Sequence, residues 1–213
     1  VYVSANPYMH KLRSDIFHRV YDLSRTDWDD DEETVLPEHV VTRAIEAHEA
    51  HPEKRLVIHF MQPHYPFIGD LGGRISHRGF RNEIHRDGDP RARYTVWGKL
   101  QYNLDGLTEA VVWDAYRENL EIALTHVRDL VDHLDGKTVI SADHGNLVGD
   151  RLWPIPVKGY AHPGGLRHGA LTKVPWFELR YESRRQVASD PPERSAPRSE
   201  ADEEKLAALG YRS

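Results

Sequence analysis

The stretch Lys137-Thr-Val-Ile-Ser-Ala-Asp-His-Gly-Asn146 decides how the fold of the whole chain is interpreted. It follows the turn signal Asp135-Gly136 and predicts a short, buried apolar strand that stops at an acid, an imidazole and a glycine. In an open parallel sheet, ligands bind where the carboxyl ends of the strands emerge. Asp143 and His144 would supply one carboxylate oxygen and one ring nitrogen there, a common start for a metal site. Alone, the pair is equally compatible with a capped turn and a hydrogen-bonded histidine.

The composition limits the classes of protein to which the chain can belong. Its 213 residues suffice for one α/β domain with a sizeable core. The net charge of −6 argues against broad nucleic-acid binding, and zero cysteines exclude disulfides and thiolate chemistry within the chain. No apolar run is long enough to span a bilayer and no secretory signal precedes the first strand, so we expect a cytoplasmic location. The chain opens on a strand-like segment without Met, which suggests a cut from a longer polypeptide.

Apolar patterning along the chain predicts strands that alternate with helices, hence an α/β domain over residues 1–181. The last strand carries Pro175 and is expected near a sheet edge. Little periodicity marks residues 68–101, which are interpreted as a lid-like excursion. The expected strands are 1–4, 55–61, 137–142 and 174–179, the expected helices are 37–49 and 107–134, and a linker (182–198) and a short C-terminal helix and tail (199–213) should follow.

Further polar side chains are expected at the same edge as Asp143 and His144. Asn6 follows the first strand, and His64 lies between two prolines directly after the strand over 55–61. His162 and His168 share a glycine-rich loop, which resembles a site loop more than a surface loop. A lone histidine in a loop is more often structural than catalytic, so the interest lies in their convergence.

Such a convergence would build a site of mixed oxygen and nitrogen ligands. The Asp and His donors favour Zn, Mn or Fe over Ca, which prefers oxygen ligands throughout. A divalent metal in that site would polarise a phosphoryl or sulfuryl oxygen and activate the attacking group. The sequence therefore predicts one divalent metal at this edge.

Four motifs, in order, resemble the sulfatase branch of the alkaline phosphatase superfamily, and most closely the small sulfatase-like proteins of archaea. Ser141-Ala-Asp-His-Gly145 is similar to the Ser-Asp-His-Gly motif of that branch, and Pro63-His-Tyr-Pro-Phe67 to its His-x-Pro-aromatic motif. His162 followed by Leu171-Thr-Lys-Val-Pro-Trp176 resembles the later histidine and the Val-Pro strand. The tail, Glu204-Lys-Leu-Ala-Ala-Leu-Gly-Tyr211, resembles the Leu-Gly-Tyr ending of these proteins.

The resemblance implies a three-layer α/β sandwich, with a mostly parallel central sheet flanked by helices, and hydrolysis or transfer of sulfate or phosphate esters. Carried over residue by residue, it implies that Asp143 and His144 are metal ligands. His64 and His162 would act in catalysis. His64 would bind the oxyanion or the leaving-group side of the ester, and His162 would be a further ligand or substrate contact. His168 and Asn146 are assigned as substrate contacts. The substrate would be a small-molecule, glycan or lipid ester.

Two departures from the family pattern leave a second interpretation open. The family places a metal-binding Asp and a nucleophile on an earlier strand, and we expect both to lie before residue 1, since Ser4 lacks the surrounding motif. Phe60 stands where two-zinc members carry an Asp, which favours a single metal. The alternatives are a non-catalytic protein of the same fold that binds an anionic ligand or a metal, and an α/β domain whose histidines are incidental.

Overall fold

A computed structural model describes residues 1–11, 16–75, 94–154 and 156–193, and its centre is a small parallel sheet. Strands β1 (Tyr2–Ser4), β2 (Val20–Asp22) and β5 (Val57–His59) pair in the order β2-β1-β5. All neighbours run parallel, and Ser4 at the end of β1 lies opposite His59 at the end of β5. The predicted first two strands are thereby confirmed, although β5 is shorter than expected and Val57 is 46% exposed.

Both predicted long helices are present, and their apolar stripes explain why they form. Helix α2 (Pro37–Ala50) begins with proline in its first turn, where the missing N–H costs no intrahelical bond. Helix α4 (Glu109–Val131) begins at Thr108, whose side-chain oxygen accepts a hydrogen bond from the Val111 N–H at 3.4 Å. The two helices pack together, and α2 also covers β1 and β5.

The apolar side chains form two clusters among the described residues. The first lies between the parallel sheet and α2, with Val3, Val35 and Val40 completely buried. The second joins the loop after β5 to α4 and the short helix α3 (Val96–Gln101). It fixes the loop after β5 against the start of α4, close to the sheet edge where polar side chains were expected. Its buried members are Tyr65, Phe67, Ile75, Val96, Trp97, Leu100, Val112, Ala115 and Val148.

The strand before Asp143 forms, but its environment differs from the prediction. Strand β6 (Val139–Ser141) pairs antiparallel with β9 (Trp176–Glu178), and within the described part of the chain it has no other strand partner. Val139 and Ile140 are half-buried instead of buried, and Trp176 on β9 is 72% exposed. The apolar run indicated a strand correctly, but the expectation of a fully buried one was wrong, because burial depends on partners that the run does not specify.

A hairpin that the sequence did not predict follows Asn146. Strands β7 (Leu147–Leu152) and β8 (Val157–Ala161) pair antiparallel with an irregular register between Val148 and Asp150. The irregularity lies at Gly149, whose φ of +85° favours glycine, and it breaks the alternation by which strands are recognised. The remaining short elements are α1 (Leu23–Thr26), β3 (Trp28–Asp29), β4 (Thr34–Val35), α5 (Gly169–Thr172) and 3₁₀ turns at Pro7–Lys11 and Gly72–Arg74.

The architecture is thus mixed α/β, with a small parallel sheet and helices, as predicted at that level. Residues 182–193, expected to be linker, contact the rest of the chain: the Ala188 N–H donates to the Glu53 carbonyl at 2.9 Å. The predicted helix over 199–213, and residues 76–93 of the predicted lid, lie outside the described residues. In the described part of the chain, no helix has the length and apolar character required to cross a membrane.

Candidate functional site

The carboxyl ends of β5 and β6 approach each other, although β6 belongs to a separate two-stranded antiparallel sheet and not to the parallel one. His59 ends β5 and Asp143 follows β6, and the His59 Nε2 atom lies 3.9 Å from the Asp143 Oδ2 atom. The Tyr2 hydroxyl contacts the other His59 nitrogen, Nδ1, at 2.8 Å and the two rings stack, which fixes the orientation of His59. Asp143 therefore lies beside an oriented imidazole at the edge where ligands bind in such sheets.

Three further imidazoles converge beside Asp143, and we call His64, His144 and His162 the imidazole cluster. The Nε2 atoms of His64 and His162 are 3.2 Å apart, and the rings of His144 and His162 have centroids 4.5 Å apart. The His144 Nε2 atom lies 3.7 Å from Asp143 Oδ2. Histidines from the loop after β5, the loop after β6 and the end of β8 are thus brought together around one carboxylate.

Backbone contacts orient two members of the imidazole cluster so that each directs Nε2 inward. His64 donates from Nδ1 to the Tyr65 carbonyl, and His144 donates from Nδ1 to the Gly145 carbonyl at 2.8 Å. In this tautomer the Nε2 atom carries a lone pair, as a metal-ligating histidine requires. Because His64 Nε2 and His162 Nε2 face each other, a proton or a cation must lie between them to avoid lone-pair repulsion.

Burial favours the uncharged form of His64, His162 and His59. It lowers the pKa of His64 to about 4, and the nearby rings of His162 and His144 act in the same direction. Burial also lowers the pKa of His162 and of His59, and a protonated His144 lowers both further. Neutral imidazoles are the form that binds metals and accepts protons, so the electrostatics suit a ligand or acid–base role.

The burial of His64 makes the free energy of unfolding depend on pH in the metal-free protein. Below pH 6.5 the unfolded ring takes up a proton that the folded ring does not accept until about pH 4. The unfolded state binds more protons over that window, so the free energy of unfolding should fall as the pH falls through it and level off below it. Allowing for partial solvent screening, we expect about 2 kcal/mol from His64, measured by urea unfolding across the window with a chelator present.

The control for this effect is an exposed histidine elsewhere on the chain. In His64→Gln, the free energy of unfolding should vary less steeply with pH between 6.5 and 4. In His133→Gln, where the replaced histidine is exposed, the pH dependence should match that of the parent. An unchanged slope in His64→Gln would contradict the burial of a neutral ring.

Two other predicted site residues have different surroundings. Both amide atoms of the Asn146 side chain are buried without a hydrogen-bond partner, an arrangement that costs about 1–3 kcal/mol for each unsatisfied group. Such an amide three residues after Asp143 fits a ligand contact.

His168 instead begins helix α5, where its Nδ1 accepts a hydrogen bond from the Ala170 N–H at 3.2 Å. Its substrate role stays a prediction, and Asn6 similarly caps the turn after β1 by accepting from the Tyr8 N–H.

Sequence reasoning missed or undervalued three residues at this edge. His59 was counted within an apolar strand, although its place as the last strand residue before the edge was the signal. Asn119 lies within the predicted helix over 107–134 and was interpreted by default as a packing or solvent-facing residue, but its buried amide donates to the His64 carbonyl at 3.1 Å and accepts from the Ile68 N–H at 3.3 Å. Tyr116, on the same helix, is close enough to Asp143 for that carboxylate to raise its pKa, after burial as the main cause.

A second group of ligand-type residues lies elsewhere and was not predicted. The donor atoms of His18, His51 and Glu193 all lie within 4.8 Å of one another, so this group could hold a metal ion. It is the one set among the described residues that meets that spacing; Asp143 and the imidazole cluster do not. The structure therefore confirms that the chain carries residues able to hold a metal ion. The predicted metal at Asp143 and His144 stays a prediction.

No model of a known protein family, no curated protein and no solved structure matches the chain. The resemblance to sulfatases consequently stays a prediction from four sequence motifs.

Proposed function

We propose that this chain carries the metal- and oxyanion-binding part of a hydrolase, or transferase, that acts on sulfate or phosphate esters. The observation that carries the proposal is the convergence of Asp143 with the imidazole cluster at one sheet edge. Three imidazoles, of which His64 and His162 are kept neutral by burial, and one carboxylate form a mixed nitrogen and oxygen donor set, which suits Zn, Mn or Fe.

In the proposal, Asp143 and His144 hold a single divalent metal. The metal, when bound, supplies a Lewis acid that polarises a phosphoryl or sulfuryl oxygen. Asp143 is suited to this position because its side chain is 60% exposed and thus accessible to an ion, while its Oδ1 accepts a hydrogen bond from the His144 N–H at 2.9 Å. The donor set and the unpartnered Asn146 amide nearby both fit such an occupant.

His64 and His162 would contact the ester itself. A neutral His64 with Nε2 directed inward accepts a proton or a hydrogen bond from a bound group, and His162 can donate from its facing Nε2–H. Together they would bind and orient the oxyanion and hold a proton near the leaving group. The proposal assigns no covalent nucleophile among the residues named here.

The fold that accompanies this function would be the three-layer sandwich with a mostly parallel central sheet. Its support is that the ends of β5 and β6 lie side by side, as in one continuous sheet edge. The packing of α2 against α4 and against β1 also fits one helical layer on a sheet.

The test is hydrolysis of aryl phosphates and aryl sulfates by the complete product of the gene, after chelation and after re-addition of Zn²⁺ or Mn²⁺. Activity should require the metal and should disappear in Asp143→Ala and His144→Ala. Asp132→Ala, an exposed acid at the end of α4, should behave as the parent. Full activity in Asp143→Ala would refute the metal assignment. Metal binding without hydrolysis would favour the second function, a non-catalytic protein of this fold that binds an anion or a metal.

A further inference from the structure

A second ligand set lies at the opposite edge of the parallel sheet, and we call His18, His51 and Glu193 the amino-edge cluster. His18 precedes the first residue of β2, and His51 is the C-cap of α2. Glu193 belongs to the C-terminal part of the described chain and its N–H donates to the His18 carbonyl at 2.7 Å. Three segments far apart in sequence thus place two imidazoles and one carboxylate within ligand spacing.

The contacts of His18 orient its Nε2 atom so that it can bind a cation. Its Nδ1 atom donates to the Pro191 carbonyl at 3.0 Å, so Nε2 carries the lone pair. Nε2 in turn faces the Glu193 Oε1 atom at 3.3 Å. A lone pair and a carboxylate oxygen repel each other at that distance unless a proton or a metal ion lies between them. The contact therefore requires a positive partner.

His51 completes the set with an oriented ring. The Tyr21 hydroxyl contacts its Nε2 at 3.0 Å. A tyrosine hydroxyl can accept a hydrogen bond from Nε2–H as well as donate one. When it accepts, the other ring nitrogen of His51, Nδ1, carries a lone pair that can bind a metal. His51 also lies at the carboxyl end of α2, where the helix dipole favours a cation.

Nearby positive side chains are already paired. Arg19 donates to Glu193 Oε2 at 3.1 Å and leaves Oε1 facing His18. Lys54, at the same cleft, is paired with Asp190 and donates to the Ala188 carbonyl. These pairings tie residues 188–193 to the sheet edge and set Glu193 in place.

We propose that the amino-edge cluster binds a divalent transition metal, Zn²⁺ in the first place, and that the ion fastens residues 186–193 to the sheet. Two histidines and one glutamate are a ligand set that zinc accepts, with a fourth position for water. The site shares no residue with the proposed ester-hydrolase site and does not depend on that function.

The first test is metal binding with the other site removed. In an Asp143→Ala/His144→Ala background, Zn²⁺ titration of the chelator-treated full chain should give one bound equivalent. Adding His18→Ala or Glu193→Gln should weaken this binding by about 100-fold, as expected for the loss of one ligand. His39→Ala, which removes a surface histidine paired with Asp27, should leave it unchanged. Equal binding in the His18, Glu193 and control variants would overturn the proposal.

The second test separates a metal from the simpler alternative of a protonated His18 paired with Glu193. Hydrogen–deuterium exchange should slow over residues 186–193 when Zn²⁺ is added, because the Ala188 and Glu193 amides donate to the Glu53 and His18 carbonyls. The slowing should vanish in Glu193→Gln, whose circular dichroism without metal should match that of the parent. If Zn²⁺ did not change the exchange rate in the parent, His18 and Glu193 would form an ion pair only, and the metal site would be refuted.

Discussion

Replacing Asn119 by Leu should lower the free energy of unfolding by about 3 kcal/mol. Asn119 is completely buried on α4, and its amide donates to the His64 carbonyl at 3.1 Å and the Pro66 carbonyl at 3.5 Å. It also accepts from the Ile68 N–H at 3.3 Å. Leucine has a similar volume but leaves these backbone groups buried and unpaired, and urea unfolding at neutral pH measures the cost.

A matched control lies two residues earlier on the same helix. Arg117 is exposed and, within the described part of the chain, forms an ion pair with Asp114 in the neighbouring turn, so Arg117→Ala should change the free energy of unfolding by less than about 0.5 kcal/mol. The Asn119 substitution should also release the loop that holds His64, and so loosen the His64–His162 contact. An Asn119→Leu protein as stable as the Arg117→Ala protein would contradict the positioning role of this amide.

Replacing Gly145 by Ala should damage both the stability and the proposed metal site. A Cβ atom at this position would lie 1.9 Å from the Ala170 carbonyl oxygen, which is backbone and cannot turn away. The Gly145 N–H also donates to the Leu171 carbonyl at 2.9 Å, so the loop after β6 and helix α5 would have to separate. We expect a loss of about 3 kcal/mol in unfolding free energy and at least about tenfold weaker metal binding.

Gly164→Ala is the control for this change. Gly164 lies in the nearby loop that follows His162, and a Cβ atom there would have no described residue within 4 Å. Its substitution should leave both unfolding and metal titration as in the parent, measured by urea unfolding and calorimetry. If Gly145→Ala also left the unfolding free energy and the metal binding unchanged, the close contact between this loop and α5 would be contradicted.

The elements that the sequence predicted well are those whose signals are local. Helix α2 was marked by Pro37 and by apolar residues at helical spacing, and α4 by the same spacing over many turns. Pairing and burial are not local properties. The apolar run before Asp143 predicted β6 but not its antiparallel pairing with β9. Strand β7 was not predicted, because Gly149 interrupts its alternating pattern.

The candidate site was predictable to the extent that it follows from strand ends. Asp143, His144 and His64 come directly after strands and lie close together, and His162 joins them from the end of β8. The single parallel-sheet edge that was expected does not account for this, since β6 pairs with β9. The amino-edge cluster could not be found in this way, since residues 18, 51 and 193 form no motif with a known spacing. Only the folded chain shows that the C-terminal segment returns to this edge.

The most direct measurement is the effect of Zn²⁺ on the histidine ring nitrogens, followed by two-dimensional NMR of the labelled protein. We expect the Nε2 signal of His144 to shift on adding Zn²⁺, the His64 and His162 signals to respond, and these changes to disappear in Asp143→Ala. Changes confined to His18 and His51, with the imidazole cluster unaffected in the parent, would contradict a metal centre at Asp143 and His144.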